Sequence, residues 1–132
     1  DPLDAAAGAL QLSGLVRGAL GKMREVQIEV DGERVRTRTP LPRLLFIPLG
    51  AVVEEFPASG APAAHPRRDQ RPGKFEGRLE PAPHNAEGFS IRSTWAEPLS
   101  GAAVDAYTLS PDGDTLEIAA ELCVEGRCTR YK

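Results

Sequence analysis

A chain of 132 residues is long enough for a single hydrophobic core without metal or covalent staples. Its 41% hydrophobic and 27% charged content are those of an ordinary soluble globular domain. A net charge of −3 argues against a nucleic-acid binder, and no apolar run approaches the roughly 18 residues of a membrane span.

The chain opens on Asp1-Pro2, without Met or a basic leader, and so reads as a processed mature chain whose signal peptide is not present. Residues 1–24 carry the one helical pattern. Asp1 can cap, Pro2 suits the first turn, and Leu12, Leu15, Val16, Ala19, Leu20 and Met23 recur at three- and four-residue spacing. The polar face offers only Arg17, Lys22 and Arg24, so the helix is expected to lie across a sheet or close a barrel end, not to bind a membrane or partner.

Residues 25–132 read as one antiparallel β-domain. Val26, Ile28 and Val30 alternate up to an Asp31-Gly32 hairpin turn. The return strand sets Val35, Thr37 and Thr39 on one face and Arg34, Arg36 and Arg38 on the other. Three guanidinium forks on one face are candidates for phosphate, sulfate or a lipid headgroup; the competing reading is a solvated face paired with Glu25, Glu29 or Glu33. Leu44–Ile47 and Ala51–Val53 follow as short buried strands. Residues 57–73 form a long loop by composition, interrupted by Pro57, Gly60, Pro62, Pro66 and Pro72. Within it Arg67 and Arg68 join the anion-binding candidates, and the loop is expected to be mobile, with an anion-binding lid as the alternative.

From Lys74 the alternation resumes through Phe75, Gly77 and Leu79, then Phe89, Ile91, Ser93 and Trp95. The clearest hairpin spans Asp105–Ile118, where Pro111-Asp112-Gly113 supplies the turn and Tyr107 and Leu109 face Leu116 and Ile118. Gly113 is expected to tolerate a β-branched residue less well than Gly60 does. Cys123 and Cys128 flank a four-residue turn and are expected to pair as a disulfide, which implies an oxidising compartment. Two free thiols or half of a metal site are the alternatives. Zinc would need a second ligand pair that is missing.

The chain has no Gly-x-Ser-x-Gly elbow, phosphate-cradling loop, Rossmann fingerprint or His-Glu-x-x-His. His65 and His84 each neighbour a proline and read as surface residues. Glu54 and Glu55 point to opposite faces of a strand, which is poor geometry for acid–base work. No catalytic residue, metal site or cofactor is expected.

A Trp95 strand followed by Tyr107-Thr108-Leu109-Ser110-Pro111-Asp112-Gly113 resembles lipocalin-like exported bacterial β-domains of uncharacterised function, over roughly Val26–Tyr131. The resemblance implies a binding or structural role. The expected architecture is therefore a mainly β antiparallel meander of about eight or nine short strands, forming a barrel or half-open barrel, with one N-terminal helix. In that barrel Ile28, Phe75, Ile91, Trp95, Leu109 and Leu116 are the candidates to line a volume for a small apolar or amphipathic ligand. The expected setting is periplasmic or secreted. The alternative is a non-catalytic structural or protein-interaction module of the cell envelope.

Overall fold

The structure, a computed structural model, describes residues 26–41, 50–69, 71–81 and 87–131. These contain nine strands and no helix: β1 (Gln27–Val30), β2 (Arg34–Pro40), β3 (Ala51–Pro57), β4 (Ala63–Pro66), β5 (Lys74–Pro81), β6 (Gly88–Trp95), β7 (Gly101–Leu109), β8 (Leu116–Val124) and β9 (Arg127–Tyr131). All neighbouring strands are antiparallel. The helix expected over 1–24 and the strand expected over Leu44–Ile47 lie outside the described residues.

The strands form two sheets, of order β1-β2-β3 and β4-β5-β6-β7-β8-β9. The barrel expectation is thereby corrected. After β3 the chain turns instead of pairing back: Ala58 N–H bonds Glu33 O at 2.8 Å and Gly60 N–H bonds Pro57 O at 3.1 Å. The next strand, β4, starts a new sheet, and β4 and β9 end that sheet without pairing to the smaller one.

Residues 57–73 are also not one loop. They hold β4, whose Ala63, Ala64, His65 and Pro66 face Gly77, Glu76, Phe75 and Lys74. The prolines that argued against a strand are tolerated because β4 is an edge strand, where an N–H is missed only if it faces the neighbour. The turns that composition marked most strongly are in place. Asp31 Oδ1 accepts from Glu33 N–H at 2.8 Å and Arg34 N–H at 3.0 Å, closing the first hairpin. Gly113 N–H bonds Ser110 O at 2.9 Å, bringing Leu109 opposite Leu116.

Period-two alternation decides which side chains meet between the sheets. Phe56 of β3 is completely buried with Phe75 of β5, Ile91 of β6 and Tyr107 of β7, while Val26, Ile28, Leu79, Phe89, Trp95 and Ile118 pack around them. A second cluster, Leu122 and Val124, packs on the other side of Trp95 with Leu99 and Ala103. Gly77 leaves room for the Phe56 ring of the other sheet: a Cβ there would lie 2.6 Å from Phe56 Cε1.

One turn expectation changes. Gly113 has φ +78° and open space around its Cα, whereas Gly60 has φ +86° and a Cβ there would lie 3.3 Å from the Leu79 carbonyl oxygen. Both resist a β-branched residue on backbone grounds, and Gly60 adds a backbone contact. Urea melts should therefore show Gly60→Val at least as destabilising as Gly113→Val, each by about 1–2 kcal/mol. A larger loss at Gly113 would contradict this.

Candidate functional site

The inner faces of the two sheets are mostly apolar, but each carries one carboxylate. On β3 the inward set reads Val52, Glu54, Phe56, and on β7 it reads Ala103, Asp105, Tyr107; Glu54 and Asp105 are both buried. Buried carboxylates need partners, and one residue serves both. Arg68, just after β4, sends Nε and Nη2 to the Glu54 carboxylate, at 3.0 Å (Nε–Oε2) and 2.6 Å (Nη2–Oε1), and Nη1 to Asp105 Oδ2 at 3.0 Å. Its guanidinium carbon lies 4.8 Å from the centre of the Phe75 ring, within cation–π range. Burial works to lower the arginine's pKa, but the Glu54 hydrogen bonds and the Glu54 and Asp105 charges outweigh it and hold the group above its ordinary value. The cluster bridges the two sheets, yet the Arg68 side chain is still 39% exposed.

A second cluster fixes the backbone beside it. Arg67 is buried and grips Asp69 with two hydrogen bonds, of 3.1 and 2.7 Å, while its Nη1 reaches the Ala96 carbonyl at 3.0 Å. Asp69 also accepts from Arg71 N–H and Nη1, each at 3.2 Å. The segment after β4 is thus tied both to itself and to the β6–β7 connection.

Burial works to raise the Asp69 pKa, but hydrogen bonds from Arg67 and Arg71 and the Arg67 charge bring it below the usual carboxylate value. A pKa lower in the folded than in the unfolded state gives stability that is full above the unfolded value, near 3.9. It is lost as pH falls below that value through the folded pKa. Urea midpoints should accordingly fall between pH 5 and pH 3, and Asp69→Asn should flatten that part of the profile. An unchanged profile in the variant would remove Asp69 from the account.

The predicted residues are only partly brought together. Phe75 and Ile91 sit in the main core, with Ile28 and Trp95 packed against it. Leu109 and Leu116 face each other at the far end of the β7–β8 hairpin and are 40% and 42% exposed. They share no volume with the other four. Arg34, Arg36 and Arg38 do lie on one outer face, but Arg34 pairs with Glu55 at 3.3 Å, Arg36 with Glu55 at 3.6 Å and Glu29 at 3.9 Å, and Arg38 with Gln27 Oε1 at 3.3 Å. Arg67 and Arg68 likewise spend donors on the chain's own carboxylates. His65 is half-buried on the edge strand β4: its ring contacts both Phe56 and Phe75, and Nε2 donates to the Glu55 carbonyl oxygen at 2.8 Å. His84 lies outside the described residues.

Cys123 and Cys128 are disulfide-bonded, directly opposite across β8 and β9. The closed loop is short, with the cysteines five residues apart, so on the chain-entropy model reduction should cost only about 2 kcal/mol. The expected result is a lower melting temperature with folding intact, and loss of the cooperative transition on reduction would contradict it.

Among the described residues, no group of three or more His, Cys, Asp or Glu side chains is placed to hold a metal ion. No family model matches the chain, and neither a curated protein nor a solved structure matches it.

Proposed function

We propose that the chain is a non-catalytic interaction module of an exported protein, acting through its surface instead of through an apolar cavity. The observation that carries this reading is the packing between the sheets. Phe56 and Ile91 are completely buried and the Phe56 ring presses on Gly77, leaving that part of the interior no room for a guest. The buried ionisable groups point the same way: Glu54, Asp105 and Asp69 are engaged with arginines of the chain itself. The Cys123–Cys128 disulfide suits an oxidising compartment, which supports export.

The test is a panel of fatty acids and environment-sensitive dyes, followed by Trp95 emission and by native mass spectrometry of the purified protein. Trp95 packs against both core clusters, so a guest in either would shift its emission. The expected result is an unshifted spectrum and a mass without adduct. A blue shift together with a retained apolar molecule would overturn this reading in favour of the ligand-binding one.

A further inference from the structure

The cluster around Arg68 has one feature that internal pairing leaves unexplained. Across β6, Phe75 faces Trp95 and Asp105 faces Ile91. A guanidinium stacked on Phe75 and bonded to Asp105 therefore crosses β6 at the inward position between those two, which is Ser93. Ser93 is 2% exposed, and its hydroxyl has no hydrogen-bond partner among the described residues. Buried hydroxyls are rarely left so, and each such case calls for an explanation.

Ser93 also lies in the shallowest row of the inner face, between Gly77 on β5 and Ala103 on β7. The row thus forms a trough, with Phe75 and Trp95 on one side and Asp105 on the other. Phe56 covers its Gly77 end, and the line from the Phe75 ring to Asp105 that the Arg68 guanidinium spans runs across the Ser93 register position. This is a slot for a flat cation: carboxylates from both sheets at its rim, an aromatic face in its wall, a hydroxyl in its floor.

We propose that the slot is a receptor for an external guanidinium group, and that Arg68 fills it in the free protein as a displaceable stand-in. An occupant tethered to the segment after β4 satisfies both carboxylates but leaves the floor hydroxyl unmet, whereas an untethered guanidinium carries five N–H donors and is free to reach all three. Displacement needs no backbone movement. Arg67, Asp69 and Arg71 pin the main chain, and only the partly exposed Arg68 side chain has to rotate into solvent. The proposal rests on the interaction-module reading only in taking the natural source to be an arginine side chain of a partner polypeptide; a small free guanidinium compound shares the chemistry.

The test uses Arg68→Ala with methylguanidinium, and with methylammonium as the equal-charge control at the same ionic strength. Methylguanidinium should raise the melting temperature of Arg68→Ala by several degrees more than methylammonium does. Adding Ser93→Ala should weaken methylguanidinium binding about tenfold, as loss of one buried hydrogen bond would. In the wild-type protein, an arginine-containing peptide should move the Arg68 Nε–H NMR signal to the position of an exposed arginine, and its lysine counterpart should not. Methylguanidinium displacing Arg68 where the peptide does not would assign the slot to a small compound. Equal effects of the two cations on Arg68→Ala overturn the receptor. Should that variant fail to fold, the wild-type titrations decide, and an Arg68 signal unmoved by both methylguanidinium and the peptide overturns the proposal. Such a failure would leave the interaction-module reading standing, since that reading is decided by the apolar panel.

Discussion

Phe56→Ala is expected to lower the unfolding free energy by about 3–5 kcal/mol, enough to consume much of a small domain's stability. Phe56 is the largest side chain that the smaller sheet contributes to the shared core, and it is completely buried. Its ring packs on Gly77 and edge-on to His65, with ring centres 5.1 Å apart. Truncation opens a void at the joint between the sheets, where β3, β4 and β5 meet and neither sheet can shift without breaking strand pairing. Leu109→Ala is the control, because Leu109 sits outside the core and should cost under about 1 kcal/mol. Urea melts of the two variants decide the point. Similar losses would mean that the two sheets do not share a core through Phe56.

Arg68→Ala is expected to cost about 2–3 kcal/mol, below the full cost of breaking a buried ion pair because the arginine side chain is partly exposed. The loss comes from Glu54 and Asp105, which stay buried without their counter-charge. The combined replacement Glu54→Leu, Arg68→Met, Asp105→Leu should therefore be more stable than Arg68→Ala alone, since removing all three charges leaves nothing unpaired. Chemical denaturation of the single and triple variants tests this ordering. A triple variant less stable than the single one would mean that the cluster contributes net stability through its geometry, beyond cancelling its own desolvation.

Much of the β organisation is legible residue by residue. Asp31-Gly32 and Pro111-Asp112-Gly113 mark their hairpins through local chemistry, a capping carboxylate and a glycine at positive φ. Alternation places Val35 and Thr37 inward and Arg34, Arg36 and Arg38 outward, because successive strand side chains must point to opposite faces. The opposed Cys123 and Cys128 follow from the length of the turn between them.

The polar centre left a fainter signal. Glu54 stands between Val52 and Phe56 on an inward register, and Asp105 stands in line with Tyr107 and Leu109. A charge on an apolar register announces a buried partner, but alternation within one strand cannot say which residue, from which sheet, supplies it.

The features legible along the chain are therefore local: hairpin turns, the two faces of each strand and the cysteine pairing. Each depends on residues within a few positions or on a single turn. Tertiary structure alone decided that the strands split into two sheets, that β4 forms among prolines, and that Leu109 and Leu116 lie beyond the core. It alone brought Arg68 between Glu54 and Asp105, 14 and 37 residues away along the chain. These outcomes depend on which faces meet once the sheets pack, and the free energy of that meeting is shared among residues whose spacing in the chain carries no trace of it.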